Sequence, residues 1–425
     1  MTAKNKHFSI FTLIIGMMLV FSLTNCGGGS GYTSIDAVTK YLLSVKGGTN
    51  VDDPVPLKVN LDLQVMTEQV SGWQRLLGAI ETAGKYVALD LSDCKMSGGP
   101  EFLPARNVRT GKSFIVLIIL PKVAESTGGA GDVPNPAFRH FSNLKTVSAE
   151  KLTSIGVNSF STCKSLISVD FPAAIKIDGN AFRNCTSLTS VSFPVAESTG
   201  WAAFSGCTSL TSMSFPVATT IATQSFDDCN SLTEIPITFF PAVTTINFSA
   251  FSGCTSLTSV SLSEVEFVGN GVFQSCTSLT SVDFPAAIRI DYACFLDCTS
   301  LISVSFPNLT SLSDNIFTRC TSLSNVSFPK VTSIGLGSFS GCTSLSNADF
   351  PAAASIDVNA FDLCNSLVSI TLGTIMRDDF NGNASSSGGS NTTPGNLRAV
   401  YFGTGGGAGT YVTNNPGLNA RWRKQ

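Results

Sequence analysis

Cysteine is the residue type in this chain whose spacing most invites chemistry. Ten cysteines recur at steps of 22 residues, with a single step of 25 between Cys229 and Cys254. Thiols that lie close together can form disulfides or ligate a metal, whereas a thiol packed beside Phe and Leu behaves as a small buried hydrophobe. Buried reduced thiols are favoured because Phe and Leu keep fixed positions beside each Cys, and disulfides and metal ligation remain as alternatives. The positions are Cys163, Cys185, Cys207, Cys229, Cys254, Cys276, Cys298, Cys320, Cys342 and Cys364.

Histidine is too scarce for most catalytic centres. The chain contains two, His7 and His140, and His7 lies in the N-terminal leader. One histidine cannot build a His-based zinc site or two independent His-assisted centres. No phosphate-binding loop, Gly-x-Ser-x-Gly turn or metal-ligand spacing is present, so no enzyme activity and no cofactor are expected. An enzyme site within residues 34–135 is the remaining catalytic alternative, although that region has no His and a single Cys.

The charge composition argues against nucleic-acid binding. Of 425 residues only 13% are charged, and the net charge is -3. A nucleic-acid binder needs a concentrated basic face, so nucleic acid is not expected as a partner.

The N-terminus reads as a secretory leader. Lys4 and Lys6 precede the apolar stretch from Phe8 to Leu23, which is shorter than the ~20 residues that span a bilayer. Leu23-Thr24-Asn25-Cys26 resembles a bacterial lipobox, although Asn25 departs from the usual Gly or Ala. This resemblance implies a lipoprotein signal peptide at 1–25 and lipidation of Cys26, with a Gly-rich tether at 26–33. An ordinary secretory leader with an incidental Cys is the alternative.

A repeat must position the cysteines. Counting each Cys as position 1, Leu recurs at position 4, an aliphatic residue at 7, Phe at 9, Pro at 10, Ile at 15 and Phe at 20. Leu-x-x-Val-x-Phe predicts a short strand with one apolar side, and the following Pro ends its pairing. Each unit is too small to hold a core of its own, so neighbouring units must stack and share one. Position 20 then predicts a ladder of buried Phe side chains.

These units resemble a known family. The segment Phe182-Arg183-Asn184-Cys185-Thr186-Ser187-Leu188-Thr189-Ser190-Val191-Ser192-Phe193-Pro194 and its copies are similar to the BspA-like, or treponemal-type, leucine-rich repeat of bacterial surface antigens. The likeness is strong over residues 138–372. It departs from the general leucine-rich form because the Cys precedes the strand. The implied fold is an α/β-type repeat solenoid, a leucine-rich-repeat arc with parallel strands on one face, an N-terminal helical cap and a C-terminal strand cap.

Domain boundaries follow from this fold. Residues 34–110 are predicted to form an N-terminal cap with the first repeat strand, including a helix that Ser71 begins and Gly84 ends. Residues 111–372 hold leucine-rich repeats of about 22 residues. Residues 373–425 are predicted to form a loop and a C-terminal cap, with a last strand at 397–402.

Positions 6 and 8 of each unit define the candidate binding face, because they flank the inward residue of the strand. The resemblance implies binding of proteins there: host extracellular-matrix proteins or other bacterial surface proteins. The face contains no Trp, Tyr or Arg, the residue types of binding hot spots, so a merely solvated surface is the alternative. The candidates are Ser168, Asp170, Ser190, Ser192, Ser259, Ser261, Ser281, Asp283, Ser303, Ser305, Asn325, Ser327, Asn347 and Asp349.

The function that the resemblance implies is that of a non-catalytic cell-surface adhesin, anchored by lipid in the bacterial outer membrane. A periplasm-facing envelope scaffold with the same fold and anchor is the alternative. The 25-residue unit adds a further choice, since Ile235 to Phe240 either bulge outward as a contact or bury Phe239 in a local adjustment, and burial is favoured. Trp201, in the unit where Thr199 replaces the usual Ile, poses the same choice.

Overall fold

The computed structural model describes residues 31–64, 66, 71–103, 111–127, 137–138, 140–357, 359–375, 407–414, 416 and 421–425. The chain divides into two compact units, Met1–Phe193 and Pro194–Gln425. Elements are numbered in chain order.

Two helices lie near the start of the first unit, α1 (Ile35–Ser44) and α2 (Gly72–Ala83), and they pack on each other. The predicted helix at residues 71–84 is confirmed as α2. The Ser71 hydroxyl accepts a hydrogen bond from the Gln74 amide, and Gly84 ends the helix with a φ of 62°, a conformation that favours glycine. The apolar face of α2 is fully buried through Trp73, Leu76, Leu77 and Ile80.

The first unit contains two parallel sheets, one on each of two sides of the coil. The front sheet has the order β1-β2-β4-β6-β8, and the side sheet has the order β3-β5-β7-β9. A 3-10 turn, Lys112–Phe114, precedes β4. The front strands are β1 (Val55–Lys58), β2 (Val87–Asp90), β4 (Ile115–Ile119), β6 (Thr146–Ser148) and β8 (Ser168–Asp170), with β10 (Ser190–Ser192) following in the chain. The side strands are β3 (Glu101–Phe102), β5 (Ser126–Thr127), β7 (Ser154–Ile155) and β9 (Lys176–Ile177).

The second unit repeats this arrangement with very regular coils. Its front strands are β11 (Ser212–Ser214), β13 (Glu234–Ile235), β15 (Ser259–Ser261), β17 (Ser281–Asp283), β19 (Ser303–Ser305), β21 (Asn325–Ser327), β23 (Asn347–Phe350) and β25 (Ser369–Leu372). Its side strands are β12 (Thr220–Ile221), β14 (Thr245–Ile246), β16 (Phe267–Val268), β18 (Arg289–Ile290), β20 (Ser311–Leu312), β22 (Ser333–Ile334) and β24 (Ser355–Ile356). The pairings within the front sheets β13-β15-β17-β19 and β21-β23-β25 are parallel, as are those within the side sheets.

The N-terminal cap contains more helices and strands than the sequence predicts. Residues 34–110 are predicted to contain one repeat strand, but the front strands β1 and β2 and the side strand β3 lie within this range, and α1 is not predicted. Pro54 and Pro56 make β1 read as a loop, yet Pro is tolerated on an edge strand, and β1 is the edge of its sheet. Tyr32, inside the range predicted as a tether, already exchanges backbone hydrogen bonds with Lys58 and Asn60, so the folded cap includes it.

At the C-terminal end, two strands cover the last coil. β26 (Gly409–Val412) pairs antiparallel with β25, and β27 (Arg423–Lys424) pairs antiparallel with β26. Tyr411 and Trp422 are buried there, which agrees with the predicted C-terminal strand cap. The predicted strand at 397–402 lies outside the described residues.

Stacked Phe rings form the core of both units, as predicted from position 20. In the first unit Phe160 and Phe182 stack with centroids 5.2 Å apart and planes 2° apart. In the second unit successive rings from Phe204 to Phe361 stack at 5.2 to 5.8 Å. Such offset stacking adds to the hydrophobic gain of burial.

The longer coil shows which of its Phe residues enters the core. Phe240 is fully buried and stacks on Phe215, with centroids 5.6 Å apart, whereas Phe239 is only half-buried. The favoured expectation that Phe239 is the buried residue is therefore wrong. The three extra residues of this coil move the core Phe three positions further from the repeat Cys. β13 of this coil and β11 of the preceding coil belong to different front sheets.

The third side of each coil consists of turns that flank the ladder Phe. Residues two positions before and two after that Phe have positive φ, as for Asn180 (57°) and Asn184 (58°) around Phe182. The alternating backbone turns N–H groups toward the next coil, so the amide of Phe160 donates to Ala181 at 2.7 Å. The turn side thus joins coil to coil by backbone hydrogen bonds, as the two sheets do.

Candidate binding surface

The predicted binding residues lie on the front strands and face outward. Ser168 and Asp170 flank half-buried Val169 on β8, and Ser190 and Ser192 flank buried Val191 on β10. None of the predicted residues in either unit is buried. This placement follows from the two-residue period of a strand.

In the second unit the strand register brings the predicted residues into two groups. Ser259, Ser281 and Ser303 are successive partners across β15, β17 and β19, and Ser261, Asp283 and Ser305 form the adjacent row. The second group consists of Asn325, Ser327, Asn347 and Asp349 on β21 and β23. We call the outward residues of these front strands the front face.

Side chains of the second group hold one another in place. The Asn347 amide donates to the Asn325 side-chain oxygen at 2.7 Å, and the Ser327 hydroxyl donates to the Asp349 carboxylate at 2.9 Å. Both bonds run between adjacent coils. These hydrogen bonds order the polar groups before any partner binds, which lowers the entropy lost on binding.

A row of hydroxyl residues beside the front face was missed by the sequence reasoning. At position 5, Thr258 is exposed and Thr280 is half-buried, and their hydroxyls donate to the backbone carbonyls of Thr233 and Thr258 at 2.8 and 2.9 Å. Because these hydrogens are already donated, the row offers acceptor lone pairs to a partner. The recurring Thr at this position was the available signal.

An ion-pair cluster lies at the front of the N-terminal cap. The Lys58 ammonium is 2.8 Å from Asp93 and 3.9 Å from Asp90, and Lys122 is 3.6 Å from Asp93. The hydrogen bond to Asp93 raises the pKa of Lys58, and the same bond lowers the pKa of Asp93. Lys58 and Asp93 are therefore charged at neutral pH, which suits a structural network better than proton transfer.

The cysteines are core residues, as favoured from the sequence. All twelve cysteines in the described part of the chain are buried free thiols. Nine of the repeat thiols donate a hydrogen bond to the carbonyl oxygen of a Phe in the preceding coil, whereas the Cys94 thiol donates to the Val59 carbonyl. Cys185 Sγ lies 3.1 Å from the Phe160 carbonyl oxygen, and Cys320 Sγ lies 3.1 Å from that of Phe295. Burial raises the pKa of the Cys163 thiol to about 12 and that of Cys94 to about 11. These thiols stay protonated and unreactive at neutral pH.

The described residues give little support for a metal site or a catalytic site. No group of three or more His, Cys, Asp or Glu side chains among them is placed to hold a metal ion. Burial lowers the pKa of Lys112, which lies within residues 34–135, to about 8, but its side chain is 0% exposed, so a substrate cannot reach it. In this part of the chain no helix has the length and apolar character needed to span a membrane. Cys26 lies outside the described residues.

Stacked short coils with parallel strands on the front, an apolar core within each unit and polar outward rows define a leucine-rich-repeat solenoid. The family model for the BspA type leucine rich repeat region (6 copies) matches residues 129–233, 175–301, 219–336 and 266–383, together more than half of the chain. The protein belongs to this family, which confirms the predicted resemblance and fold class. Leucine-rich repeats generally mediate protein–protein interaction and are typically non-catalytic.

Several solved structures resemble the chain. A leucine-rich repeat protein from Bacteroides ovatus is 25% identical over 61% of this chain and 79% of its own, with a TM-score of 0.44. A leucine rich repeat protein from T. pallidum is 27% identical over 42% of this chain and 77% of its own, with a TM-score of 0.34. A leucine rich cell surface protein from Faecalibacterium prausnitzii is 23% identical over 57% and 81%, with a TM-score of 0.31. The comparison with curated proteins found no match.

Proposed function

We propose that this protein is a non-catalytic lipoprotein of the bacterial cell surface that binds proteins through its front face. In this proposal it acts as an adhesin for host extracellular-matrix proteins or for other bacteria. The observation that carries the proposal is the front face itself, an ordered series of accessible polar side chains on adjacent coils. A rigid face of this kind contacts a protein over many small interactions.

The anchor part of the proposal rests on the lipobox-like segment that ends at Cys26. Replacement of this residue, Cys26→Ala, removes the thiol that would receive the lipid. The wild-type protein should incorporate labelled palmitate and enter the detergent phase on Triton X-114 partitioning, and the variant should do neither. Equal partitioning of the two proteins would contradict lipidation at Cys26.

Protease treatment of intact cells tests which way the anchored protein faces. The proposal requires loss of this protein while a periplasmic control survives. Survival of both, with cleavage of this protein in lysed cells, would favour the periplasm-facing scaffold instead. The scaffold keeps the same fold and anchor, so this measurement separates the two functions.

Charge substitutions test the front face directly. A variant with Asp283→Arg and Ser305→Arg places two bulky cations on adjacent strands of the first group. Binding to immobilised laminin or fibronectin should weaken at least about tenfold, because uncompensated charge at an interface is costly. The control, Glu266→Arg with Thr310→Arg, makes the same charge change at exposed residues away from the front face and should bind as the wild type. Equal binding by both variants would contradict the assignment of protein binding to the front face.

A further inference from the structure

A second exposed row runs along the second unit, at the turn that follows each side strand. Its large members are Trp201, Phe248, Tyr292 and Leu336, which are 49%, 49%, 51% and 37% exposed. Its small members, in the coils between them, are Thr223, Asn270 and Asp314. We call this set the corner row. Large and small side chains alternate over these seven coils, from Trp201 to Leu336.

Backbone hydrogen bonds establish that these residues are true neighbours. The amide that follows each member donates to the carbonyl of the next member, from Ala202 to Thr223 at 2.9 Å through to Asn315 to Leu336 at 2.8 Å. The donating residues also share one left-handed backbone conformation, with φ between 47° and 60°. A constant backbone makes the side chains project in one direction. With adjacent coils ~4.8 Å apart, the large members recur about every 10 Å.

Asp314 is the one member of the row with a charged type of side chain. Thr223 and Asn270 are uncharged, and the carboxylate of Asp314 accepts a hydrogen bond from the Leu336 amide at 2.9 Å. Beside Tyr292, the Arg289 guanidinium is held by two hydrogen bonds to Asp291 and lies 5.1 Å from the centre of the Phe267 ring. A fixed planar donor next to an exposed aromatic ring suits a ligand that has both hydroxyl groups and apolar ring faces.

The exposed area argues against a second copy of the chain as the occupant. Each half-exposed large side chain contributes on the order of 100 Å². Four of them supply about half of the ~800 Å² that each partner buries in a stable protein interface. A small, regular and neutral contact fits a linear polymer that repeats at the same interval and gains affinity by engaging several positions at once.

We propose that the corner row binds an extended, uncharged polysaccharide of β-1,4-linked pyranoses. In such a chain each ring is turned over relative to the next, so every second ring presents the same face. One ring with its linking oxygen is about as long as the spacing between coils. Every second ring then lies over Trp201, Phe248 or Tyr292, with its apolar C–H face on the side chain, and the rings between lie over the small members. This surface is separate from the front face and does not depend on it.

Sedimentation of the full chain with insoluble polysaccharide tests the proposal. The protein should bind microcrystalline cellulose or chitin and should not bind insoluble starch, whose α-linked chain coils. Tyr292→Ala should weaken binding about tenfold, as loss of one stacked ring does in other polymer complexes. The double variant Tyr292→Ala with Phe248→Ala should not bind detectably. Tyr292→Phe keeps the aromatic ring and should retain binding. Ile302→Ala removes a side chain that is 54% exposed outside the row and should leave binding unchanged.

Circular dichroism and the urea midpoint establish that each variant is folded. Absence of binding by the folded wild type to both cellulose and chitin would overturn the proposal, as would unchanged binding by the folded double variant. Concentration-dependent dimerisation in sedimentation velocity that the double variant abolishes would replace the polysaccharide with a second copy of the chain. None of these outcomes bears on laminin or fibronectin binding by the front face.

Discussion

The recurring Cys is explained by a single hydrogen bond. The carbonyl of each ladder Phe faces the core edge and has two lone pairs to satisfy. In the coil of Phe295, the Cys298 amide takes one at 3.1 Å and the Cys320 thiol of the next coil takes the other at 3.1 Å. Ala or Val in this position would fill the space without donating. Ser would donate but fill less of the core, so Cys combines apolar volume with a donor.

Leu363 is the one apolar side chain at the position directly before the repeat Cys, where the backbone is left-handed, and this should reduce stability. The position directly before the repeat Cys has positive φ throughout, and it is filled by residues such as Asn184 (58°) and Gly206 (72°). In the last coil it is Leu363, with a φ of 56° and a side chain 52% exposed. A side chain of this type in the left-handed region costs about 1–2 kcal/mol, whereas Asn tolerates the conformation.

Leu363→Asn should therefore raise the free energy of unfolding by about 1 kcal/mol. The gain should appear as a higher urea midpoint with an unchanged slope. Ile302→Asn is the matched control, since Ile302 is 54% exposed and is not among the residues with positive φ. It should not stabilise the protein. An equal shift of the midpoint in both variants would show that backbone strain is not the cause.

At the scale of the element, the Phe ladder binds each coil to its neighbours. Phe295 packs between Phe273 and Phe317 at 5.6 and 5.4 Å and also contacts Phe306 at 5.8 Å. Removal of one ring leaves a cavity bounded by three others. The surrounding coils cannot close it, because their backbones are joined by hydrogen bonds on the front, side and turn sides.

Phe295→Ala should destabilise the protein by about 3–5 kcal/mol, because transfer energy and cavity formation add. Phe248→Ala removes the same atoms from a ring that is 49% exposed and should cost less than about 1 kcal/mol. Denaturant unfolding of the two variants and the wild type measures the difference. Comparable losses in the two variants would contradict a ladder that carries much of the stability.

Elements differ in how well the sequence predicts them. Front strands were predictable because outward and inward residues alternate around positions 6, 7 and 8, and α2 because Trp73 to Ile80 form one apolar face between two caps. The side strands were missed because two residues are too few to show a period, although the Ile at position 15 marked their inward side. α1 was missed because only Val38 and Leu42 of its residues are buried, a weak periodic signal.

The front face and the corner row also differ in how well the sequence predicts them. Residues of the front face follow from strand alternation, so their outward placement could be predicted from the repeat alone. The hydrogen bonds that order Asn325 with Asn347 could not, since they depend on rotamers of adjacent coils. The corner row was hidden because its residue type changes at every coil, from Trp201 through Thr223 to Phe248, and only the coil geometry shows that these positions are neighbours.

At the scale of the whole molecule, the buried thiols act together on stability. Burial is the main cause that raises the pKa of ten thiols, Cys94, Cys163, Cys229, Cys254, Cys276, Cys294, Cys298, Cys320, Cys342 and Cys364. An unfolded thiol loses its proton near pH 9, while the folded one keeps it to a higher pH. The unfolded chain then binds fewer protons than the folded one, so stability falls as pH rises.

The protein should therefore be stable up to about pH 8.5 and lose stability steeply above pH 9, by up to ~1.4 kcal/mol per pH unit for each thiol. Lys112, whose pKa burial lowers to about 8, acts in the opposite direction between pH 8 and 10.5, but it is one group against ten. Urea unfolding at pH 7, 8, 9 and 10 under reducing conditions measures the slope. The double variant Cys298→Ala with Cys320→Ala should start from a lower stability, because of its cavities, and should fall about one fifth less steeply. A free energy of unfolding that stays level from pH 8 to 10, or equal slopes in the two proteins, would show that the thiols do not set the alkaline limit.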